Sequence, residues 1–121
     1  MLNLDTHIFV AANEGRLRPG EQRLMEDDFW SISGIVLWEL AFLAREGRIR
    51  RGPDDPGIRR VVSELTVWPI DLDIARALGS LDFRSDPADE IIAATSLARG
   101  VPLLTRDDRL LGSKVVPLAL P

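Results

Sequence analysis

The 121-residue chain contains no cysteine and only one histidine, His7. The first absence removes disulfides, thiolate metal ligands and a cysteine nucleophile together. No apolar stretch approaches the roughly 18 residues that a membrane span needs. The opening residues lack a basic segment followed by an apolar core, so no secretory signal is expected and the expectation is a cytoplasmic protein. There is no glycine-rich phosphate loop, and no internal repeat, low-complexity tract or linker. With 45% hydrophobic and 28% charged residues, the composition is that of an ordinary globular protein. Residues 1–121 are therefore expected to form one domain with one sizeable core.

A net charge of −4 argues against holding nucleic acid by general electrostatics. The distribution says more. Between Leu43 and Val62 six arginines (Arg45, Arg48, Arg50, Arg51, Arg59 and Arg60) face three acids, so that segment is net +3 and the remainder −7. It reads either as a solvated helix end and loop or as a phosphate-binding patch.

Met1–Asp5 reads as a short buried strand, followed by a helix over Thr6–Asn13 with Gly15 beyond its end. Pro19–Asp28 is a more polar helix and Phe29–Ile32 a strand. Ser33 can cap a helix from Gly34 to about Glu46, closed by Gly47. Another helix follows the PDDPG turn at Pro53–Gly57. Thr66–Ile70 is strand-like, and Asp71 can cap a helix to about Leu81. Asp86-Pro87 opens a further helix ended by Gly100. Val101–Thr105 is a strand, Asp107–Leu111 a short helix, and Val115-Val116 a final edge strand. Short apolar strands alternating with helices imply an α/β fold, with a mostly parallel sheet covered on both faces. Ligands of such sheets sit at the carboxyl ends of the strands, where Asp5 and Asp107 both fall.

Four acids then stand out. Asp5 is the only acid within MLNLDTHIFVAAN, and it follows the first strand. Glu39 is the only charged residue of SISGIVLWELAFLA; its neighbours three and four positions away are Val36, Phe42, Ile35 and Leu43, so no base on its own helix face pairs with it. A buried lone carboxylate is costly unless it is paired or holds a metal, and such groups gather at sites. Asp89 follows a plausible Asp86 cap and Pro87 at the first helical position, where a carboxylate suits the helix dipole. Asp107 and Asp108 could simply pair with Arg106 and Arg109. Oxygen-only ligation suits magnesium or manganese rather than zinc. His7, on an apolar helix, is expected to cap or pack rather than act as a base. The chemistry left open is metal-assisted phosphodiester hydrolysis.

At these residues the chain resembles PIN-domain ribonucleases, particularly the VapC-type toxins of bacterial toxin–antitoxin pairs. LDTHIFV is similar to their opening strand and first acid, ISGIVLWELAFLAREGRI to their acidic helix, DPADEIIAATSLARG to the second acidic helix, and PLLTRDDRLL to the strand with an acidic turn. The resemblance covers nearly the whole chain. It implies a three-layer α/β/α fold, Mg²⁺ or Mn²⁺ held by Asp5, Glu39, Asp89 and Asp107, cleavage of single-stranded regions of RNA, a homodimer, and inhibition by a cognate antitoxin. Thr6 and Thr105 match supporting hydroxyl positions. Two departures affect substrate positioning: Glu90 stands where many relatives have a base, and Leu43 where many have a lysine.

The expectation is therefore a metal-dependent endoribonuclease toxin, with Asp5, Glu39 and Asp89 fixing one ion and Asp107 completing the site or holding a second. Arg45, Arg48, Arg50 and Arg51 are its candidate RNA contacts. Apolar surface on the helices Thr6–Asn13 and Gly34–Ala44 would receive the antitoxin. Two other readings stay open: a catalytically silent PIN-like binding module, and a receiver-like phosphoacceptor domain using Asp5 or Asp107 with Lys114.

Overall fold

A computed structural model describes all 121 residues. Four short strands, β1 (Leu2–Leu4), β2 (Trp30–Ser33), β3 (Thr66–Trp68) and β4 (Leu103–Leu104), form one sheet in the order β3-β2-β1-β4. Every pairing is parallel. Helices α1 (Thr6–Glu14), α2 (Pro19–Glu26), α3 (Gly34–Arg45), α4 (Pro56–Glu64), α5 (Leu72–Ala77), α6 (Pro87–Arg99) and α7 (Asp108–Leu111) connect and cover the strands. The result is a three-layer α/β/α architecture, as expected from short strands alternating with helices. No helix is long and apolar enough to cross a membrane.

All three residues of β1 are buried, including Asn3, which is fully enclosed. Its amide nitrogen donates to the Ser96 hydroxyl at 2.9 Å and to the Ile92 carbonyl at 3.2 Å, tying the central strand to α6. Ile8, Phe9, Val36, Leu40 and Ile92 close the core around the sheet. Burying each such side chain stabilises the fold by about 1.5–3 kcal/mol before conformational entropy is counted.

Several boundaries differ from the sequence reading for identifiable reasons. The third strand stops at Trp68 because Pro69 has no N–H for the ladder, and β4 is only two residues long, following Pro102. Helix α4 starts inside the PDDPG turn, with Asp55 accepting from the Ile58 amide at 3.0 Å. The helix capped by Asp71 ends at Ala77 and tightens into a 3₁₀ turn over Leu78–Ser80. The Val115-Val116 edge strand does not form. Both of those amides donate to the Ser113 hydroxyl, and the chain meets the sheet later, where Leu118 bridges Leu103 in parallel. Asp86 occupies the N-cap position of α6 but makes no side-chain capping bond. Instead Glu90 reaches back to accept from the Ser85 amide at 3.0 Å.

Candidate active site

Register brings the first pieces together. Asn3 pairs with Leu103 and Leu4 with Leu104, so the residues just past the two strand ends, Asp5 and Thr105, stand side by side. The Thr105 hydroxyl donates to Asp5 Oδ2 at 2.6 Å and accepts from the Asp107 amide at 3.0 Å. Asp5 is 2% exposed; its Oδ1 caps α1 by accepting from the Thr6 amide at 2.8 Å. One buried hydroxyl thus links the acids that follow β1 and β4.

The other acids arrive on helices. The Thr6 hydroxyl donates to Glu39 Oε1, which joins the start of α1 to the middle of α3. Ser85 donates to Asp89 Oδ2 at 3.0 Å across the first turn of α6. Burial raises the Glu39 carboxyl above its ordinary range, and the charges of Asp5, Asp89 and Asp86 push it the same way against the Thr6 hydrogen bond. Burial likewise raises Asp89, opposed by Ser85 and reinforced by Asp5, Asp107 and Asp86. Glu39 and Asp89 therefore both feel the charge of Asp5.

Asp5, Thr6, Glu39 and Asp89 line one open cleft of about 560 Å³ together with His7, Arg16, Arg48 and Arg106. Asp107 stands outside that lining. Its Oδ1 is engaged in capping α7, accepting from the Arg109 and Leu110 amides, although its charge still reaches Asp89. The bland account of that turn does not hold: Arg106 pairs with buried Glu21 at 2.6 Å rather than with Asp107 or Asp108.

No three carboxylates or imidazoles are gathered closely enough, as the side chains stand, to hold a metal ion. The donor set nevertheless fits a hard divalent cation. No arginine or lysine lies within ion-pair distance of Asp5, Glu39, Asp89 or Asp107. Glu39 Oε2 and Asp89 Oδ1 carry no hydrogen bond, since the threonine and serine engage the opposite oxygens.

His7, expected to cap or pack, does hold a backbone amide of the turn before α7, and it faces the cleft as well. Its Nε2 accepts from the Arg106 amide at 2.9 Å, with Nδ1 3.7 Å from Asp5 Oδ2. Arg16 and Arg106 also reach the cleft unannounced by any sequence pattern. Of the candidate RNA contacts, Arg48 lines the cleft and Arg50 and Arg51 an adjoining hollow. Arg45 instead lies over the Phe42 ring, 5.7 Å from its centroid. Glu90 is occupied with the Ser85 amide, and Leu43 lines the cleft beside Ile49. Lys114 does not line it; its amide donates to Asp82 at 2.8 Å.

A parallel α/β/α sheet with carboxylates past its strand ends, and no cysteine or phosphate loop among them, places the chain among α/β/α proteins that gather acids in a cleft at the carboxyl edge of the sheet. Within that class the chain belongs to the PIN domain family, whose model matches residues 3–112. It is 30% identical to Ribonuclease VapC22 of Mycobacterium tuberculosis over 113 residues, covering 88% of this chain and 87% of the relative. Its fold is similar to VapBC2 from Rickettsia felis bound to a DNA fragment from their promoter, with a TM-score of 0.75, 18% identity and 98% of each chain covered. FitAcB from Neisseria gonorrhoeae superposes with the same TM-score at 17% identity, over 100% of this chain and 98% of the other.

Proposed function

We propose that this chain is a metal-dependent endoribonuclease toxin that hydrolyses phosphodiester bonds in single-stranded RNA and is neutralised by an antitoxin. The observation that carries the reading is the convergence of Asp5, Glu39 and Asp89, each held by a hydroxyl and none paired with an arginine or lysine, on one cleft. The ribonuclease relative and the toxin–antitoxin structures support the rest.

Asp5, Glu39 and Asp89 would hold Mg²⁺ or Mn²⁺, with Asp107 at the rim. When bound, the cation neutralises charge on the phosphodiester and makes an attacking water more acidic. The chain's own residues do the positioning. Thr105 fixes Asp5, Thr6 fixes Glu39 and Ser85 fixes Asp89, leaving Glu39 Oε2 and Asp89 Oδ1 free to accept a proton from water or to bind. Arg16 and Arg48 bring positive charge to the same cleft, which offsets the repulsion between its acids and a phosphate. A homodimer and a cognate antitoxin belong to the same proposal. Of the two helices expected to present apolar surface to that partner, α3 does so through Trp38, 59% exposed and stacked on Phe42. Helix α1 turns Ile8, Phe9 and Ala11 inward.

The test is RNA cleavage with Mg²⁺ or Mn²⁺ alongside thermal melts of wild type and Glu39→Gln. At an ion concentration near 100 times its dissociation constant, the wild type should gain roughly 2.7 kcal/mol. Glu39→Gln should lose most of that gain and the cleavage with it. Equal stabilisation of both proteins, with no cleavage by the wild type in either metal, would leave a silent binding module as the better reading. Suppression of cleavage by the product of an adjacent small reading frame would test the antitoxin.

A further inference from the structure

The acidic cleft opens into a second hollow of about 490 Å³, and the two share Arg16, Arg48 and Ile49 in their walls. Arg50 and Arg51 complete the second hollow, so four arginines face one acid, Glu14. Arg48, Arg50 and Arg51 have no carboxylate within ion-pair distance. Arg16 pairs with Glu14.

Two left-handed glycines build this place. Gly15, at φ +68°, ends α1 and folds Arg16 back so that its amide donates to the Ala11 carbonyl at 2.8 Å. Gly47, at φ +69°, does the same for α3, where the Arg48 amide donates to the Leu43 carbonyl at 2.9 Å. The two arginine-bearing turns then meet, and Arg51 donates to the Asn13 carbonyl at 3.4 Å. Arginines near helix carboxyl ends also complement the helix dipole, but only Arg51 donates to a helix-end carbonyl here, and the Arg48 and Arg50 side chains make no hydrogen bond within the protein.

We propose that this hollow is a phosphate subsite for RNA: Arg16, Arg48, Arg50 and Arg51 hold the backbone phosphates flanking, on one side, the phosphodiester presented to Asp5, Glu39 and Asp89. The inference rests on the ribonuclease reading and adds where the strand runs. In the cleft three carboxylates stand against three arginines, Arg16, Arg48 and Arg106; the adjoining hollow, continuous with it through shared walls, sets four arginines against one acid and so adds the net positive charge that a phosphate backbone needs. Guanidinium groups suit phosphate because their fork of donors matches its oxygens. The assignment removes Arg45, committed to Phe42, and adds Arg16.

The experiment uses uncleavable 2′-O-methyl RNA oligonucleotides, extended one nucleotide at a time at the 5′ or the 3′ end. They are bound to wild type, Arg50→Ala/Arg51→Ala and Arg50→Lys/Arg51→Lys over a range of salt, with KM measured on a cleavable strand. Extension at one end only should raise wild-type affinity. The alanine pair should lose that increment and flatten the dependence of log affinity on log salt by about 1.4, two single-strand contacts at about 0.7 each. Its KM should rise with kcat little changed, and the lysine pair should keep most of the salt dependence. An unchanged slope and KM in the alanine pair would overturn the subsite while leaving cleavage by the wild type intact. Absence of cleavage by the wild type in any divalent metal, with the slope still lost, would overturn the ribonuclease reading and keep the subsite. Displacement of the RNA by a polyglutamate peptide at lower concentration than by polyphosphate would make the hollow a protein-docking site and overturn the assignment.

Discussion

Thr105 is a residue whose hydroxyl does two jobs at once, donating to Asp5 and accepting from the Asp107 amide. Thr105→Val keeps the shape and removes both bonds, leaving a buried carboxylate oxygen and an amide unpaired. It should cost about 1–3 kcal/mol in denaturant unfolding, and under the proposed function should weaken Mn²⁺ stabilisation more than Thr105→Ser does. Asp5→Asn is a poor metal test for the same reason: Asp5 is also the α1 cap and the Thr105 acceptor. Glu39 has one hydroxyl partner, is only half-buried and lines the cleft, so Glu39→Gln separates binding from folding more cleanly. His7→Gln can still present an acceptor to the Arg106 amide, whereas His7→Leu cannot. The leucine variant should speed hydrogen exchange at Arg106 and the glutamine variant should not.

At the scale of elements, the β4–α7 turn is clamped from two directions. His7 on α1 holds the Arg106 amide, and the Arg106 guanidinium bonds both oxygens of Glu21 on α2 at 2.6 and 2.7 Å. Glu21 is 3% exposed, and its hydrogen bond to Arg106 holds the carboxyl below the ordinary range. Removing one partner of such a pair strands the other's charge. Arg106→Ala should therefore cost about 3 kcal/mol, read as a lower melting midpoint, with Arg106→Met restoring none of the charge pairing. The helix boundaries follow local chemistry that can be read directly: Ser33, Asp55 and Asp71 each cap the helix that follows. The failed Val115-Val116 strand shows the opposite case, because β-branched residues pair with a sheet only if their amides are free, and here Ser113 takes both.

For the whole molecule, two sets of carboxyls pull the pH dependence of stability in opposite directions. Glu21, Asp28 and Asp82 are lowered in the folded state, so their stabilisation is present above their unfolded values and is lost as pH falls through the folded ones. Glu39 and Asp89 are raised, so their contribution is full below their unfolded values and is lost as pH rises through the folded ones. In chelator, stability should pass through a maximum near the ordinary carboxylate range of 3.8–4.5 and decline above it. Glu39→Gln should flatten the decline, and added Mn²⁺ should do so in the wild type alone. A chelated wild type whose melting temperature keeps rising through neutral pH would contradict the repulsion between the acids.

The amino-acid sequence by itself determined the alternation of strands and helices, the parallel covered sheet and the four acids that matter as candidates. These rest on local properties: apolar run length, capping side chains, proline and the isolation of Glu39 within an apolar helix. The tertiary structure alone decided how those acids relate. Parallel register sets Asp5 beside Thr105, a separation of 100 residues in the chain, and helix packing lets Thr6 reach Glu39. It also decided that Asp107 caps a helix outside the cleft lining, that His7 and Arg106 belong to the site, and that Arg16 joins Arg48 while Arg45 does not. Those outcomes depend on the positions of elements far apart in sequence and on which donor reaches a given acceptor first, and neither is a property of any local pattern of residues.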